Sequence, residues 1–247
     1  MKTGIVGYGV VGKATHKGIL NDDPGVAIHD PMLHTDKSCV YGCDIVFICI
    51  PTDDDKDVQN VYRVCNYLHN NGVKEIVIRC TVPPGTCERI NADLGSNVMF
   101  MPEFLRDRHW ITDCKRELVL LGDDSNHKRL VKQLKPSLIT VTTKEAEFVK
   151  IMNNLYATVN IVFANHMYGW ADAYATNYDK VKDLFQIFRN GQDYLECNSE
   201  LRGFGGKCLP KDLNFAINEL AKHNLDENFF TAIKHDNSKW PTTLRKD

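Results

Sequence analysis

The glycine-rich segment Gly7-Tyr8-Gly9-Val10-Val11-Gly12 restricts the possible folds of this chain more than any other feature. It follows a short apolar run and precedes a helical pattern, and Asp30 ends the next apolar run. In a strand–turn–helix unit, Gly7 permits the tight turn, Gly9 lets the backbone approach a diphosphate, and Gly12 allows close helix packing. An acid at the Asp30 position binds a ribose diol and repels a 2′-phosphate, so the pattern predicts an NAD site. The other residues predicted to line the cofactor within this segment are Tyr8, Val10 and Val11.

Short apolar runs alternate with helical patterns through the first half of the chain. The runs are Gly4–Val6, Val26–Ile28, Ile45–Ile50, Ile76–Ile78, Val98–Phe100 and Leu118–Leu121. Those that begin at Ile45 and Ile76 are apolar at consecutive positions, as in strands buried on both faces. This alternation predicts an α/β domain over residues 1–143, with a Rossmann-like, doubly wound parallel sheet.

After Thr143 the pattern becomes helical. Apolar residues recur at helical spacing from about Lys144 to Ala175, and shorter helices are predicted near Lys180–Phe188, Lys211–Lys222 and Phe229–Lys239. We therefore expect a second, all-α domain over residues 144–247, organised around one long helix.

Composition excludes several classes of function. The formal net charge is −2, and the lysines form no stripe, so nucleic acid is not an expected partner. The nine cysteines are odd in number and include no CxxC pair, which favours reduced thiols in a cytoplasm and argues against a metal site. The chain has no apolar run long enough for a membrane helix and opens directly into its first predicted strand, so we expect a cytoplasmic protein without a leader.

The segment from Gly203 to Asp212, Gly-Phe-Gly-Gly-Lys-Cys-Leu-Pro-Lys-Asp, carries the clearest chemical signal. Flexible glycines before Cys208 and a helix opened by a proline after it would present the thiol at a helix N-terminus. That position and the neighbouring Lys207 and Lys211 favour a thiolate nucleophile, and Asp212 could anchor a base or a water. A buried structural cysteine is the alternative.

Three further segments lie where a ligand crevice is expected. Thr81–Thr86 (TVPPGT) and Met101–Arg106 (MPEFLR) follow predicted strands, and Lys150 and Asn154 share one helix face through their i, i+4 spacing. Taken separately, these features also fit a rigid turn, a solvated loop acid at Glu103 and a solvated helix face.

In this order, the motifs GYGVVG, TVPPGT, PEFLR, AEFVKIMNN (Ala146–Asn154) and GFGGKCLPKDL resemble those of the UDP-glucose/GDP-mannose dehydrogenases. The resemblance runs from Met1 to about Trp240. It implies two successive oxidations of a nucleotide sugar by NAD, with UDP-glucose, oxidised to UDP-glucuronate, as the default substrate. It also implies a homodimer formed through the long helix.

The resemblance implies roles for individual residues. Cys208 would form a thioester with the oxidised sugar carbon, while Lys150 and Asn154 would stabilise the oxygen on that carbon. Asp212 and Thr81 would handle water and proton movement, and Glu103 would act as acid–base in thioester hydrolysis. Further residues implied at the cofactor are Pro51, Thr52, Thr81 and Asp107. Those implied at the substrate are Glu103, Phe104, Leu105, Lys150, Asn154, Phe204, Gly205 and Gly206.

The chain departs from the family pattern in several places. Lys207 stands where serine is usual, and Asp53–Asp55, interpreted as a solvated loop, follows Pro51-Thr52 where a proline is common. An arginine that reaches the neighbouring subunit's sugar site could be Arg189 or Arg202. The chain also ends before the second nucleotide-binding domain of relatives. We therefore keep two alternatives to a complete enzyme: a subunit that needs a partner, and an NAD-binding sensor without turnover.

Overall fold

The computed structural model describes residues 1–106, 109–115, 118–124, 129–135, 137–188, 202–206 and 208–240. The chain divides into two compact units, Met1–Lys150 and Ile151–Asp247. The first unit contains the sheet, and the second contains helices.

The described strands form one seven-stranded sheet in the order β2-β1-β3-β4-β5-β6-β7. All neighbouring strands are parallel except β5 and β6, which are antiparallel. The strands are β1 (Thr3–Val6), β2 (Ala27–His29), β3 (Ile45–Ile48), β4 (Glu75–Ile78), β5 (Val98–Phe100), β6 (Val119–Gly122) and β7 (Leu138–Val141). The predicted α/β class is confirmed. The edge strand β7 was not predicted from the sequence, because its residues are only half-buried or exposed and form no apolar run.

Helices cover both faces of the sheet. They are α1 (Val10–Gly18), α2 (Asp55–Asn70), α3 (Thr86–Leu94), α4 (Trp110–Asp113) and α5 (Arg129–Leu134). In β3, Val46 and Ile48 join the core formed with α2 and α3, whereas Ile45 and Phe47 join the core on the opposite face. Apolar side chains at consecutive positions are therefore explained by burial on both faces.

The long helix α6 (Thr143–Ala173) begins in the first unit and supplies the start of the second. Thr142 and Glu145 form a reciprocal capping box: Thr142 N–H donates to the Glu145 carboxylate, and Glu145 N–H donates to Thr142 Oγ1. The helix starts tightly against the sheet, because a Cβ added at Gly122 would lie 2.7 Å from Thr143 Cα.

The second unit also contains α7 (Tyr178–Phe188), α8 (Cys208–Lys222) and α9 (Asn228–Asn237). Its core includes Val162 from α6, Leu213 from α8 and Ile233 from α9, together with Phe204 of the segment that precedes Cys208. Each predicted helix is present, and each end lies within three residues of the predicted one.

Among the described helices there is none that combines the length and hydropathy needed to cross a bilayer. The described cysteines are thiols, and no disulfide joins any of them.

We expect Gly122→Ala to lower the free energy of unfolding by about 1–3 kcal/mol, because its methyl group would collide with the backbone of α6. Gly169→Ala is the matched control: Gly169 is an exposed position within α6, and an added Cβ there would have only Arg202 nearby, at 3.8 Å. Helix propensity predicts a gain of about 0.5–1 kcal/mol for this control. Urea unfolding measures both changes, and equal stability of the two variants would contradict the packing argument.

Candidate active site

The glycine loop between β1 and α1 has the geometry of a diphosphate cradle. Gly7 has a φ of +88°, and a Cβ added there would lie 2.6 Å from the carbonyl oxygen of Cys49. A Cβ added at Gly9 would meet no atom within 4 Å, so open space lies over this residue. Gly9 is also the N-cap of α1 and provides no side-chain cap. The N-terminal N–H groups of α1 therefore face a space that fits an anionic diphosphate.

The Asp30 carboxylate is held at the end of β2 by two backbone donors. Tyr8 N–H donates to Oδ2 at 2.6 Å, and Met32 N–H donates to Oδ1 at 2.8 Å. The first bond joins the carboxylate to the glycine loop, and the second caps a short 3-10 helix at Pro31–Leu33. Each oxygen keeps a lone pair, so the carboxylate is fixed and can still accept a bond from a ribose hydroxyl. The Tyr8 hydroxyl bonds to His16 Nδ1 at 2.7 Å.

Two other predicted cofactor segments also lie at the carboxyl edge of the sheet. Pro51 and Thr52 follow β3, where Thr52 is buried and Pro51 is exposed. Thr81 follows β4 and is buried, and the turn after it leads through Gly85, with a φ of +85°, into α3. Asp107, also predicted at the cofactor, lies outside the described residues.

A buried ion pair joins the loop after β5 to α6. Lys150 Nζ lies 2.9 Å from Glu103 Oε1, and both side chains are buried. Leu105 N–H donates to the other carboxylate oxygen at 2.8 Å, and the Lys150 ammonium lies 5.8 Å from the Phe104 ring centroid. The interpretations of Glu103 as a solvated loop acid and of Lys150 as part of a solvated face are therefore wrong.

The charge state of Glu103 is set by two opposing effects. Burial raises the pKa of this carboxyl, but the Lys150 ammonium and the Leu105 N–H outweigh burial and hold the pKa below its usual range. Glu103 is therefore a carboxylate at neutral pH.

Arg79 is a buried cation that sequence analysis missed. It follows β4 directly, is 6% exposed, and its Nε and Nη1 have no hydrogen-bond partner among the described residues. It lines a cavity of about 60 Å³ together with Glu103, and burial lowers the pKa of the guanidinium. An arginine directly after the apolar run Ile76–Ile78 was the available signal, since a charge there must be buried with the strand end.

In the second unit, Asn154 and Asp212 form a buried polar pair. Asn154 Nδ2 donates to Asp212 Oδ2, and Asp212 is fully buried. Lys211 Nζ lies 3.4 Å from Asp212 Oδ1. Burial of Asn154 contradicts the interpretation of a solvated helix face, as it does for Lys150.

Cys208 is the first residue of α8, and its side chain is exposed. The alternative of a buried structural cysteine is therefore wrong. Asp212 stands four residues later on the same helix, one turn from Cys208. A thiol at a helix N-terminus is stabilised as a thiolate by the helix dipole. Lys207, the neighbouring cation in the sequence, lies outside the described residues.

The glycine loop before Cys208 is anchored to α9. Asn237 accepts a bond from Phe204 N–H at 2.8 Å and donates its amide to the Phe204 carbonyl at 2.9 Å. The Phe204 side chain lies in the core, Gly205 is half-buried, and Gly206 is exposed with a φ of +75°. The loop is therefore pinned at Phe204 and turns at Gly206 immediately before the cysteine.

The two arginines considered for contact with a neighbouring subunit differ in what the structure shows. The Arg202 guanidinium carbon lies 3.3 Å from the Trp240 ring centroid and 5.4 Å from that of Tyr168, and Nη2 donates to the Asn165 carbonyl. Arg202 is therefore held within its own chain. Arg189 lies outside the described residues.

The acidic run after Thr52 has a local structural role. Asp54 is the N-cap of α2 and accepts from Asp57 N–H at 2.9 Å, and Asp55 is the first residue of the helix. These carboxylates stabilise the N-terminus of α2. Within the described part of the chain, no group of three or more His, Cys, Asp or Glu side chains is arranged to hold a metal ion.

The chain belongs to the UDP-glucose/GDP-mannose dehydrogenase family. Residues 27–158 match the NAD binding domain of this family, and residues 144–239 match its central domain. The cofactor predicted from the glycine loop and Asp30, NAD, is the cofactor of that domain.

Curated relatives include a putative UDP-glucose 6-dehydrogenase, YtcA, of Bacillus subtilis, 26% identical over 81% of this chain and 52% of the relative. A UDP-glucose 6-dehydrogenase of Campylobacter jejuni is 27% identical over 81% of this chain and 54% of the relative. The chain thus spans about half the length of the curated relatives it matches.

Solved structures share the fold. A UDP-glucose dehydrogenase from Pyrobaculum islandicum superposes with a TM-score of 0.78 at 21% identity, covering 96% of this chain and 68% of that one. A UDP-D-ManNAc dehydrogenase from Pyrococcus horikoshii superposes with a TM-score of 0.79 at 20% identity, covering 97% of this chain and 68% of that one.

We expect Glu103→Gln to lower the free energy of unfolding at pH 7 by about 3–5 kcal/mol, because it leaves the Lys150 ammonium buried without its counter-ion. The native pKa of Glu103 is lowered, so its stabilising contribution is present above the unfolded pKa and is lost as pH falls through the native value. The difference in the free energy of unfolding between wild type and Glu103→Gln should therefore become smaller as the pH is lowered from 7 to 3. Urea unfolding at each pH measures this difference.

Glu88→Gln serves as the control for this measurement, since Glu88 forms an exposed ion pair with Lys144. Glu88→Gln should lower the free energy of unfolding by less than about 1 kcal/mol. A gap between wild type and Glu103→Gln that stays constant down to pH 3 would show that Glu103 is not an ionised partner of Lys150.

Proposed function

We propose that the chain carries the catalytic residues of an NAD-dependent nucleotide-sugar 6-dehydrogenase, which oxidises UDP-glucose to UDP-glucuronate through a thioester on Cys208. The observation that carries the proposal is the exposed Cys208 thiol at the N-terminus of α8, one turn from the buried Asp212 carboxylate. Family membership and the NAD binding domain support it.

Bound NAD would accept one electron pair in each of the two oxidations. The chain's own groups would supply the nucleophile and the charges around it. The Cys208 thiolate adds to the aldehyde carbon left by the first oxidation, and the second oxidation converts this adduct into a thioester. Hydrolysis of the thioester then frees the carboxylate product and the thiol.

Each oxidation passes through negative charge on the sugar C6 oxygen. The Lys150 ammonium would stabilise that charge, as would the Asn154 amide, which its bond to Asp212 holds in a fixed orientation. A buried ammonium is effective because little water screens it. Thr81, buried at the start of its turn, would take part in proton movement.

Glu103 would act as the base in thioester hydrolysis. Because its pKa is held low, it is already ionised at neutral pH and can accept a proton from the attacking water. Its bonds to Lys150 and to the Leu105 N–H fix the carboxylate before substrate arrives. Phe104 and Leu105 beside it, and Phe204, Gly205 and Gly206 before Cys208, are proposed as substrate contacts.

The test is the appearance of NADH at 340 nm with purified protein, NAD and a panel of nucleotide sugars. We expect two NADH for each UDP-glucose, since oxidation of an alcohol to an acid removes two electron pairs. Cys208→Ser should lower the rate by at least about 10³-fold, because serine is a far weaker nucleophile at neutral pH. Cys39→Ser is the matched control, because serine can keep the bond from Cys39 to the Ile28 carbonyl.

The outcomes of this assay separate the alternatives. Full turnover by Cys208→Ser would refute the thioester route. Tight NAD binding without NADH from any sugar would refute the proposal for this chain alone. In that case, activity restored by a co-purified protein would identify a partner-dependent subunit, and its absence would favour a sensor.

We further propose that the protein forms a homodimer through α6. Phe148, Met152 and Tyr156 recur every four residues on one helix face and are 59%, 70% and 49% exposed, and Phe163 continues the apolar surface. A row of large exposed apolar side chains on one long helix is typical of an interface. Two-fold pairing of this helix with its copy would bury the row on both chains.

Light scattering coupled to size exclusion tests the dimer. Wild type should elute with twice the chain mass of 28.1 kDa. The measured mass of Met152→Glu should lie closer to that of the monomer, because dimerisation would bury two carboxylates facing each other. Met32→Glu is the control, since Met32 is 85% exposed but lies away from α6 in the sequence. A monomeric wild type would refute this part of the proposal.

A further inference from the structure

The N-terminus of α3 is capped by a residue from a distant helix. Its N-cap, Gly85, has no side chain and makes no side-chain cap bond. Instead, Gly85 N–H donates to Glu147 Oε2 at 2.5 Å, and Cys87 N–H donates to Glu147 Oε1 at 2.9 Å. A carboxylate more than fifty residues later in the chain therefore satisfies two of the free donors at this helix end.

The contact is fully enclosed. Glu147 has 0% exposure, so the loss of either bond would leave a buried donor or acceptor without a partner. A second, exposed contact joins the same two helices, the ion pair between Lys144 and Glu88 at 2.7 Å. Solvent screens that pair, so the buried cap is the stronger of the two links.

Glu147 and Lys150 stand three residues apart on α6 and bind two different loops. Glu147 binds the turn that follows β4 and begins with Thr81, and Lys150 binds Glu103 in the loop that follows β5. One turn of one helix therefore sets the relative positions of the Thr81 turn and of the Lys150–Glu103 pair.

We propose that Glu147 is a positioning residue that aligns the Thr81 turn with Lys150 and Glu103 by capping α3. The inference deepens the proposed function and rests on it for its effect on turnover. Its effect on the order of the turn and on NAD affinity does not require turnover. Glu147 would touch neither cofactor nor substrate and would act only through the backbone of the turn.

The ionisation of Glu147 gives the cap a pH dependence. Burial raises the pKa of this carboxyl, while the N–H donors of Cys87 and Gly85 oppose the shift without cancelling it. A protonated carboxyl accepts less well and loses its attraction to the helix N-terminus. The Thr81 turn should therefore loosen as the pH falls toward the raised pKa of Glu147. The titratable groups that interact with Glu147 are the Cys87 thiol, whose pKa it raises, Glu88 on α3, and Lys144 one turn earlier on α6.

The experiment uses the full chain and two readouts that need no turnover. Amide hydrogen exchange reports the order of residues 81–94, and NAD titration followed by calorimetry gives the dissociation constant. Glu147→Gln leaves one acceptor oxygen, and Glu147→Ala leaves none. We expect exchange in this segment and the NAD dissociation constant to rise about tenfold for glutamine and further for alanine. Glu147→Asp keeps the charge, so its exchange rates and its NAD dissociation constant should lie between those of Glu147→Gln and those of wild type.

Glu88→Gln is the matched control, because it removes the exposed contact between the same helices. Both readouts should stay within about twofold of wild type for this variant. If Glu147→Gln and Glu147→Ala reduce only global stability, and leave local exchange and the dissociation constant unchanged, Glu147 is merely structural and the proposal is overturned.

A pH series keeps the proposal testable even if the alanine variant does not fold. As the pH is lowered from 8 to 4, a range that covers the ordinary carboxyl pKa and values above it, the NAD dissociation constant of wild type should rise more steeply than that of Glu147→Gln. Equal slopes would overturn the proposal. If wild type binds NAD but forms no NADH, the proposed activity fails while these readouts still decide the role of Glu147.

Discussion

Burial of charge on the first turns of α6 is the constraint on which the site in the first unit depends. Glu147 and Lys150 are both removed from water, and each must find a partner of matching chemistry or destabilise the fold. The partners they find are the N-terminus of α3 and the Glu103 carboxylate. Because both partners belong to loops at the carboxyl edge of the sheet, satisfying these charges also fixes the edge where ligands bind in such folds.

In the second unit, a buried charge is likewise paired, but by different groups. Asp212 is fully buried and is held by the Asn154 amide and the nearby Lys211 ammonium. The exposed Cys208 is the contrasting case, as the proposed role of a nucleophile that must reach its substrate requires. In the proposed function, the enclosed Asn154–Asp212 pair would be oriented before any ligand arrives, which is the arrangement that favours electrostatic stabilisation of a transition state.

Much of the fold followed from local patterns. The glycine loop, the consecutive apolar runs of β3 and β4, and the helical spacing after Thr143 predicted the sheet class and the long helix. Edge strand β7 was missed, because an edge strand with exposed positions needs no apolar run. The acidic run after Thr52 was interpreted as a solvated loop, although Asp54 caps α2. Local charge patterns do not distinguish a cap from a loop until the helix start is known.

The sequence by itself determined the α/β class, the NAD-type glycine loop with Asp30, and the candidate nucleophile Cys208. Each of these depends on short-range spacing or on a residue type that few other contexts use. Only the tertiary structure decided that Lys150 and Asn154 are buried, that Nε and Nη1 of Arg79 have no hydrogen-bond partner among the described residues, and that Glu147 caps α3. Burial and pairing depend on residues tens of positions apart, and no local pattern encodes which distant backbone donor a carboxylate will meet.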